Sequence, residues 1–576
     1  MQWHRLIFLS EANLSYFYNR EKPRNEYKFS SIRSKVKFIN IIIYFKRRTR
    51  EEQAIGRENM PLEASVVEKL KDIVGSENVL TDEEDLFVYS FQGPFGAQFG
   101  PSPDVVVRTW SDEEIKRVMR LAENKNIRVI LRNETIPSNI GHPIIMLDTI
   151  KPSDLPSLKT SSSRKELIAY KLPMSELLGL RQHLKSLVIH QKCRECQLAS
   201  GSACHGYCEV APFFNWIETW SSKGRIILAR ELTKGRIEPT EKIQNILFSC
   251  TLCGHCYGAC TLDHLNTYKA IAYARHELAK KGYVPRIFTE LPERISKQGA
   301  PLMIDLARRT RTWWLSRLSE KPKLENAEVL YWVGCVTAYR HYNIAVSTIN
   351  ILREANVDFM MLGDKEGCCG LELYTSGFWD EGRKNALKVT EKLKQTRAKT
   401  LVTSCAGCYY TFKEIYPEIF GVELPMEVLH ISQFIEFLIE EDRLKFDESN
   451  GLNYKVTYHD PCHLGRHCSV YEPPRNVLKA IPNLQLTEMS LNRNNARCCG
   501  GGGGLWTYNN ELARNIAYSL LVDEVLPLNV EAVVTTCPMC YTNLKYTARL
   551  RKLPINVYDI TEIVRKFLEK PQKDKD

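Results

Sequence analysis

The first 192 residues of this 576-residue chain contain no cysteine, and all 19 cysteines lie between Cys193 and Cys540. Long apolar runs are also missing. The longest near the start, Ile39 to Phe45 with Asn40 inside it, falls far short of the roughly 20 residues that a membrane helix needs. A chain without a direct membrane span is therefore expected. No N-terminal stretch has the basic, apolar, small-residue order of a signal peptide, so a cytoplasmic protein is expected. With 44% hydrophobic and 26% charged residues, collagen-like and wholly disordered classes are excluded. The net charge of +11 is concentrated in one place: residues 1–59 hold 13 Lys and Arg against 6 Asp and Glu, and the remainder holds 66 against 62. The nearly balanced body gives no case for nucleic acid. The length suggests two to four domains, since one core rarely grows past roughly 250–300 residues.

Residues 1–59 read as a basic prefix that need not be native. It is either a targeting arm or a stretch ahead of a start at Met60. From Met60, Val66, Val67, Leu70 and Ile73 recur at helical spacing. Val105–Arg108 reads as a strand, Ser111 to Glu123 as a helix with a capping box from Ser111 and Glu114, and Val129–Arg132 as a second strand. This truncated α+β unit, residues 60–135, resembles the opening of the flavin-binding domain of glycolate oxidase and D-lactate dehydrogenase flavoproteins. In that family the second strand runs into a glycine-rich loop around the FAD pyrophosphate. Here it runs into Asn133–Ser138, with no glycine before Gly141. Phosphate approach needs such glycines, so bound FAD is not expected. Residues 136–184 read as a Pro- and Ser-rich linker and a helix.

The cysteines fall in close sets. Disulfide scaffolds belong mainly to small secreted proteins, so metal is the better reading in a chain this long. Cys250, Cys253, Cys256 and Cys260 follow the C-x2-C-x2-C-x3-C run of cubane [4Fe–4S] clusters. Upstream, Cys193, Cys196, Cys204 and Cys208 form a looser partner set. Crossed ligation would place Cys193, Cys196, Cys204 and Cys260 on one cluster, and Cys250, Cys253, Cys256 and Cys208 on the other. A zinc ribbon is the alternative, although zinc sites seldom use this run. An α-helical, ferredoxin-like two-cluster domain is therefore expected over residues 185–290, followed by a helical connector over 291–326.

The C-terminal half repeats itself. Cys335, Cys369, Cys405, Cys408 and Val428 recur as Cys462, Cys499, Cys537, Cys540 and Val557, at offsets between 127 and 132 residues. Short β-rich runs precede Cys335, Cys405, Cys462 and Cys537, so these cysteines should sit just beyond strand ends, where open parallel sheets place their ligands. Core packing explains the strands but not why four of them end in cysteine. The adjacent Cys498 and Cys499 precede the run Gly500–Gly504, which permits unusual backbone angles and lets amides donate to sulfur. No Gly-Lys-Ser/Thr follows, so the run is not a P-loop. A vicinal disulfide is the competing reading of the paired cysteines. Cys468 matches no motif position and reads as an ordinary buried thiol.

The pattern is C-x32-C-C-G-x34-C-x2-C, then C-x35-C-C-G-x36-C-x2-C. It resembles the cysteine-rich CCG family. Together with the ferredoxin-like segment the chain resembles the D subunit of heterodisulfide reductase, over roughly residues 185–570. The resemblance implies an α/β fold with duplicated Rossmann-like CCG domains at 327–445 and 453–570. It also implies two noncubane [4Fe–4S] clusters beside the two cubane clusters. Their ligands would be Cys335, Cys368, Cys369, Cys405 and Cys408, and Cys462, Cys498, Cys499, Cys537 and Cys540. One thiolate of each set would bridge two irons and the other four would cap. Both sets are complete, which favours a site that reduces or forms a disulfide between the two clusters, each supplying one electron and taking up one sulfur.

His459 and His463 flank Cys462 and are candidate proton donors to a product thiolate; His255 lies within the second ferredoxin run. Hydrogen bonding or packing is the plainer reading of all three. The leading expectation is an oxidoreductase acting on sulfur groups. The alternative is an iron–sulfur electron-transfer subunit of a lactate, glycolate or glycerol-3-phosphate dehydrogenase complex. A third is the iron–sulfur subunit of a membrane complex that handles sulfur-carrier trisulfides, and a zinc-stapled interaction protein is the bland reading. Expected partners are a thiol or disulfide substrate and other redox subunits, of flavoprotein or membrane cytochrome b type. Through such a partner the chain could sit peripherally at the inner face of the membrane. The pair Trp313–Trp314 reads as core or as a contact of that kind.

Overall fold

The computed structural model describes residues 62–90, 102–109, 111–131, 144–148, 207–258, 267–302, 310–446 and 453–568. The prefix, Cys193, Cys196, Cys204 and Cys260 lie outside them.

The N-terminal unit is a four-stranded sheet of β1 (Val79–Leu80), β2 (Val105–Arg108), β3 (Arg128–Leu131) and β4 (Ile144–Asp148), in the order β1-β2-β4-β3. Only β1 pairs antiparallel. The helices Ala64–Val74 and Asp112–Asn124 lie where the apolar spacing predicts. Ser111 caps the second by accepting from Glu113 N and Glu114 N. The predicted capping box closes only halfway, because the Glu114 carboxylate accepts the Thr109 hydroxyl at 2.6 Å instead. The larger correction is β4. It lies in the stretch expected to be linker, yet it is fully buried at the centre of this sheet. Ile144-Ile145-Met146-Leu147 is a continuous apolar run, the signature of a parallel strand covered on both faces. Its lack of alternation and its length of five residues hid it beside Pro143 and Pro152.

Helices Ser222–Thr233, Glu241–Phe248 and Thr267–Lys280 follow. Ser221 and Thr240 cap the first two with their hydroxyls. The first helix is buried almost all round and packs on the third, so the pair forms an internal support.

The rest of the described chain holds two parallel sheets of identical order. One comprises β5 (Val329–Trp332), β6 (Phe359–Met360), β7 (Thr400–Thr403) and β8 (Glu427–His430), ordered β6-β5-β7-β8. The other comprises β9 (Tyr454–Tyr458), β10 (Leu484–Leu486), β11 (Ala532–Thr535) and β12 (Asn556–Asp559), ordered β10-β9-β11-β12. The α/β class expected from the sequence is therefore observed. Helix Tyr342–Glu354 of the first copy packs on helix Ile560–Leu568 of the second. Across this contact Asn343 donates to Glu562 at 2.6 Å, and His341 Nε2 meets the Thr542 hydroxyl at 2.7 Å. One apolar core runs through both sheets and the support helices. Trp314 is fully buried in it, and Trp313 packs against it and donates to Ala338 O, so the tryptophan pair is core.

Candidate iron–sulfur site

Each cysteine loop leaves a strand end. Cys335 follows β5 after Gly334, whose φ of 80° turns the chain into the helix Cys335–Arg340. Cys405 and Cys537 follow β7 and β11 and stand at the N-caps of Ala406–Tyr410 and Pro538–Leu550. Amides at such positions favour a thiolate. The adjacent pairs, Cys368–Cys369 and Cys498–Cys499, each precede a glycine with positive φ, Gly370 at 92° and Gly500 at 78°. Those glycine amides turn back and donate to Cys368 Sγ at 3.4 Å and Cys498 Sγ at 3.3 Å.

The ten cysteines of the two modules form one continuous chain of sulfur contacts. It runs Cys335, Cys368, Cys369, Cys408, Cys405, then across to Cys537, Cys540, Cys499, Cys498 and Cys462. The crossing joins equivalent positions of the two copies, so the order reads the same from either end. Cys499 Sγ and Cys540 Sγ lie 3.1 Å apart. No described cysteine is paired in a disulfide, which disfavours the vicinal-disulfide reading. Contacts from Cys368 and Cys408 hold the Cys369 thiol well below its ordinary value, and Cys498 and Cys540 do the same for its counterpart Cys499. This buried, convergent and disulfide-free thiol set fits an iron–sulfur group.

The upstream segment meets the second module. Cys253 touches Cys498. Cys208 Sγ lies 3.5 Å from Arg225 Nη1, and Arg225 also acts on Cys250, so one buried guanidinium serves two of the four cysteines assigned to one cluster. Cys256 Sγ sits 2.9 Å from the Thr267 hydroxyl. Arg275 is fully buried and ties the segment down, donating to Leu247 O and Cys250 O within it and to Thr375 O and Gly503 O in the two modules.

The candidate histidines differ. His459 is occupied on both nitrogens, by the Thr535 hydroxyl at 3.3 Å and Arg497 O at 3.2 Å, and so acts as a loop anchor here. His463 stacks on Tyr410 at 5.0 Å and faces Cys537, Cys499 and Cys369, thiols of both modules. Burial pushes its pKa down. His255 Nδ1 meets the Glu209 carboxylate at 3.1 Å. Cys468 is half-buried, and burial pushes its thiol up; its charged neighbours are Glu414, Lys413 and Lys269 rather than the cysteines of either set.

Three groups escape a sequence reading. His467 packs on Tyr410 and Tyr268, and its ring nitrogen can approach Cys462 Sγ and His463 to within 4.8 Å. The run Cys462-His463-x3-His467 is a visible hint of it. Glu209 and Arg497 carry no signal beyond standing next to Cys208 and Cys498. Glu209 is buried, yet its pKa falls to about 2: burial opposes ionisation, and Arg497, His255 and Cys498 N together outweigh it. Glu366 has a similar bonding pattern in the first module, accepting from Val333 N and Gly334 N at 2.9 Å and from Arg311 at 2.7 Å, but there burial prevails and pushes its pKa up.

Twin parallel sheets whose strand ends converge on ten cysteines define a class, the cysteine-rich iron–sulfur oxidoreductases. Residues 329–413 and 456–545 both match the cysteine-rich domain family CCG. Over 357 residues the chain is 33% identical to the D subunit of dihydromethanophenazine:CoB–CoM heterodisulfide reductase of Methanosarcina acetivorans, covering 61% of this chain and 84% of that one. It is 28% identical over 418 residues to the probable iron-sulfur-binding oxidoreductase FadF of Bacillus subtilis, covering 68% and 56%. To the EtfAB:quinone oxidoreductase of Syntrophomonas wolfei it is 27% identical over 344 residues, covering 56% and 46%. The chain belongs to the family of iron–sulfur oxidoreductases that resemble this heterodisulfide reductase component.

Proposed function

We propose that this chain carries electrons through two cubane clusters to a twin noncubane site that reduces, or forms, a disulfide. The observation that carries the reading is the unbroken sulfur chain across two complete five-cysteine sets, joined at Cys405 and Cys537. Cys208, Cys250, Cys253 and Cys256 would hold one cubane cluster, and Cys193, Cys196, Cys204 and Cys260 the other. Cys335, Cys368, Cys369, Cys405 and Cys408 would hold one noncubane cluster, and Cys462, Cys498, Cys499, Cys537 and Cys540 its twin. Bound there, the clusters would supply the two electrons that, with two protons, convert RS–SR′ into RSH and R′SH.

The chain's own residues would do the rest. Backbone turns at Gly334, Gly370 and Gly500 aim the thiolates inward. Tyr410 and His463 line the meeting point of the two sets, with His463 best placed to hold a proton near a product thiolate. Support for the modules being Rossmann-like comes from their shared parallel strand order, and for a ferredoxin-like segment from its cysteine spacing and helices. Partners would be a flavoprotein or a membrane cytochrome b. Among the described residues no helix is long and apolar enough to cross a membrane, so membrane association would come through such a partner.

A second reading, electron relay without disulfide chemistry, is favoured by the likeness to FadF and to EtfAB:quinone oxidoreductase. Anaerobic holoprotein given a reduced viologen and a panel of disulfides separates the two. Dye oxidation that needs a disulfide and is lost in Cys405→Ser supports the enzyme. Oxidation only with a quinone or flavoprotein acceptor supports the relay.

A further inference from the structure

Each module has a buried carboxylate–arginine pair of its own at a cysteine loop, Glu366–Arg311 in the first and Asp460–Arg475 in the second, and the second module also receives a carboxylate from outside it. In the first module Glu366 and Arg311 both belong to the module or its immediate connector. In the additional pair of the second, the half-buried Arg497 is the module's own, whereas the carboxylate is Glu209, from the segment carrying Cys208. The Glu209 side chain is 4% exposed. One oxygen accepts the amide of Cys498 at 3.2 Å and meets His255 Nδ1 at 3.1 Å; the other accepts Arg497 Nε at 3.2 Å. A single carboxylate therefore joins the residue after Cys208, the residue before Cys256, and Cys498 itself. Cys498 is also the thiol that Cys253 touches.

We propose that Glu209 is a positioning residue that sets the reduction potential of the second module's centre, so that this centre is tuned from the upstream segment as well as by its own Asp460, while the first is tuned by its own Glu366. The inference rests on the proposed presence of an iron–sulfur centre in each module. The physics is electrostatic. Reduction adds negative charge to the centre, and a fixed negative charge buried beside it opposes that addition. The short path to the Cys498 amide also fixes the direction of that N–H. The Arg497 guanidinium, on the same carboxylate, acts with the opposite sign.

The test is a redox titration of the full-length anaerobic holoprotein, read by the electron paramagnetic resonance of each centre. A Cys408→Ser background isolates the second centre, and a Cys540→Ser background the first. Glu209→Gln should move the second centre's midpoint upward and leave the first in place, and Glu209→Asp, which keeps the charge, should stay close to the parent midpoint. Arg497→Met should move the second centre downward. Glu366→Gln should move only the first. Damage from a structural defect would not reverse sign between Glu209→Gln and Arg497→Met, so the pair also serves if either variant binds iron poorly. An unchanged second midpoint in Glu209→Gln with its signal intact overturns the inference, as do equal shifts of both centres. Absence of any second-module signal in the parent protein overturns the proposed function itself.

Discussion

Gly503 is the point where the glycine run of the second module meets the upstream cysteine segment, and replacing it tests whether that contact holds the site together. Its φ is 63°, and a Cβ there would lie 2.5 Å from the backbone of Thr251, between Cys250 and Cys253. Its carbonyl accepts from Arg275 at 2.8 Å. Gly503→Ala therefore incurs two costs: roughly 1 kcal/mol for a left-handed alanine and about 1–3 kcal/mol for displacing packed backbone. Gly282 is the control. Its φ of 81° carries the same conformational cost, but a Cβ there would meet nothing within 4 Å. In denaturant unfolding of the anaerobic holoprotein, Gly282→Ala should lose about 1 kcal/mol and Gly503→Ala about 2–4 kcal/mol. Gly503→Ala should also lose iron from the second module. Equal losses in the two variants, or full iron retention in Gly503→Ala, would refute the claim that this close approach holds the segment against the module.

Further outcomes follow from the same contacts. Arg275→Lys should destabilise about as strongly as Arg275→Met, by roughly 3–5 kcal/mol in chemical unfolding, because only a guanidinium can reach four carbonyls from one buried position. His341, at the contact between the modules, has its pKa lowered from 6.5 to about 4, first by burial and then by Lys545 and Arg340. Below pH 6.5 the unfolded chain takes up a proton that the folded chain resists. Stability should therefore fall with pH from about 6.5 down through 4, and His341→Asn should flatten that limb of a stability–pH profile. Cys405→Ser should remove iron from the first module, measured by metal analysis, while the cubane signals persist. Exposure of the reduced protein to an iron chelator should lower the unfolding midpoint as the visible absorption bleaches.

Much of the site was legible because cysteine is a rare residue and four strands end in one. Spacing and the repeat offset brought the two five-cysteine sets to equivalent loops, and the parallel sheets place them there. The contact joining Cys405 to Cys537 was not legible, since it depends on how helix Tyr342–Glu354 packs against Ile560–Leu568. Glu209 was invisible for the same reason: its partner Cys498 lies 289 residues away. The strand Ile144–Asp148 was missed on different grounds, since a four-residue apolar run has no periodicity to distinguish strand from loop. The half-formed capping box at Ser111 shows a local rule giving way to a competing donor, the Thr109 hydroxyl. His459 matched a proton donor by position, but both of its nitrogens are occupied by partners that a sequence does not display.

The central claim is a twin-cluster site that handles a disulfide. It is tested most directly by electron paramagnetic resonance of the anaerobically purified, oxidised protein given candidate thiols, with iron counted on the same sample. The expected result is about 16 irons for four clusters, and a new signal that appears in the oxidised protein only with a particular thiol and is abolished in Cys537→Ser. Full iron with reducible cubane signals and no response to any thiol would contradict it.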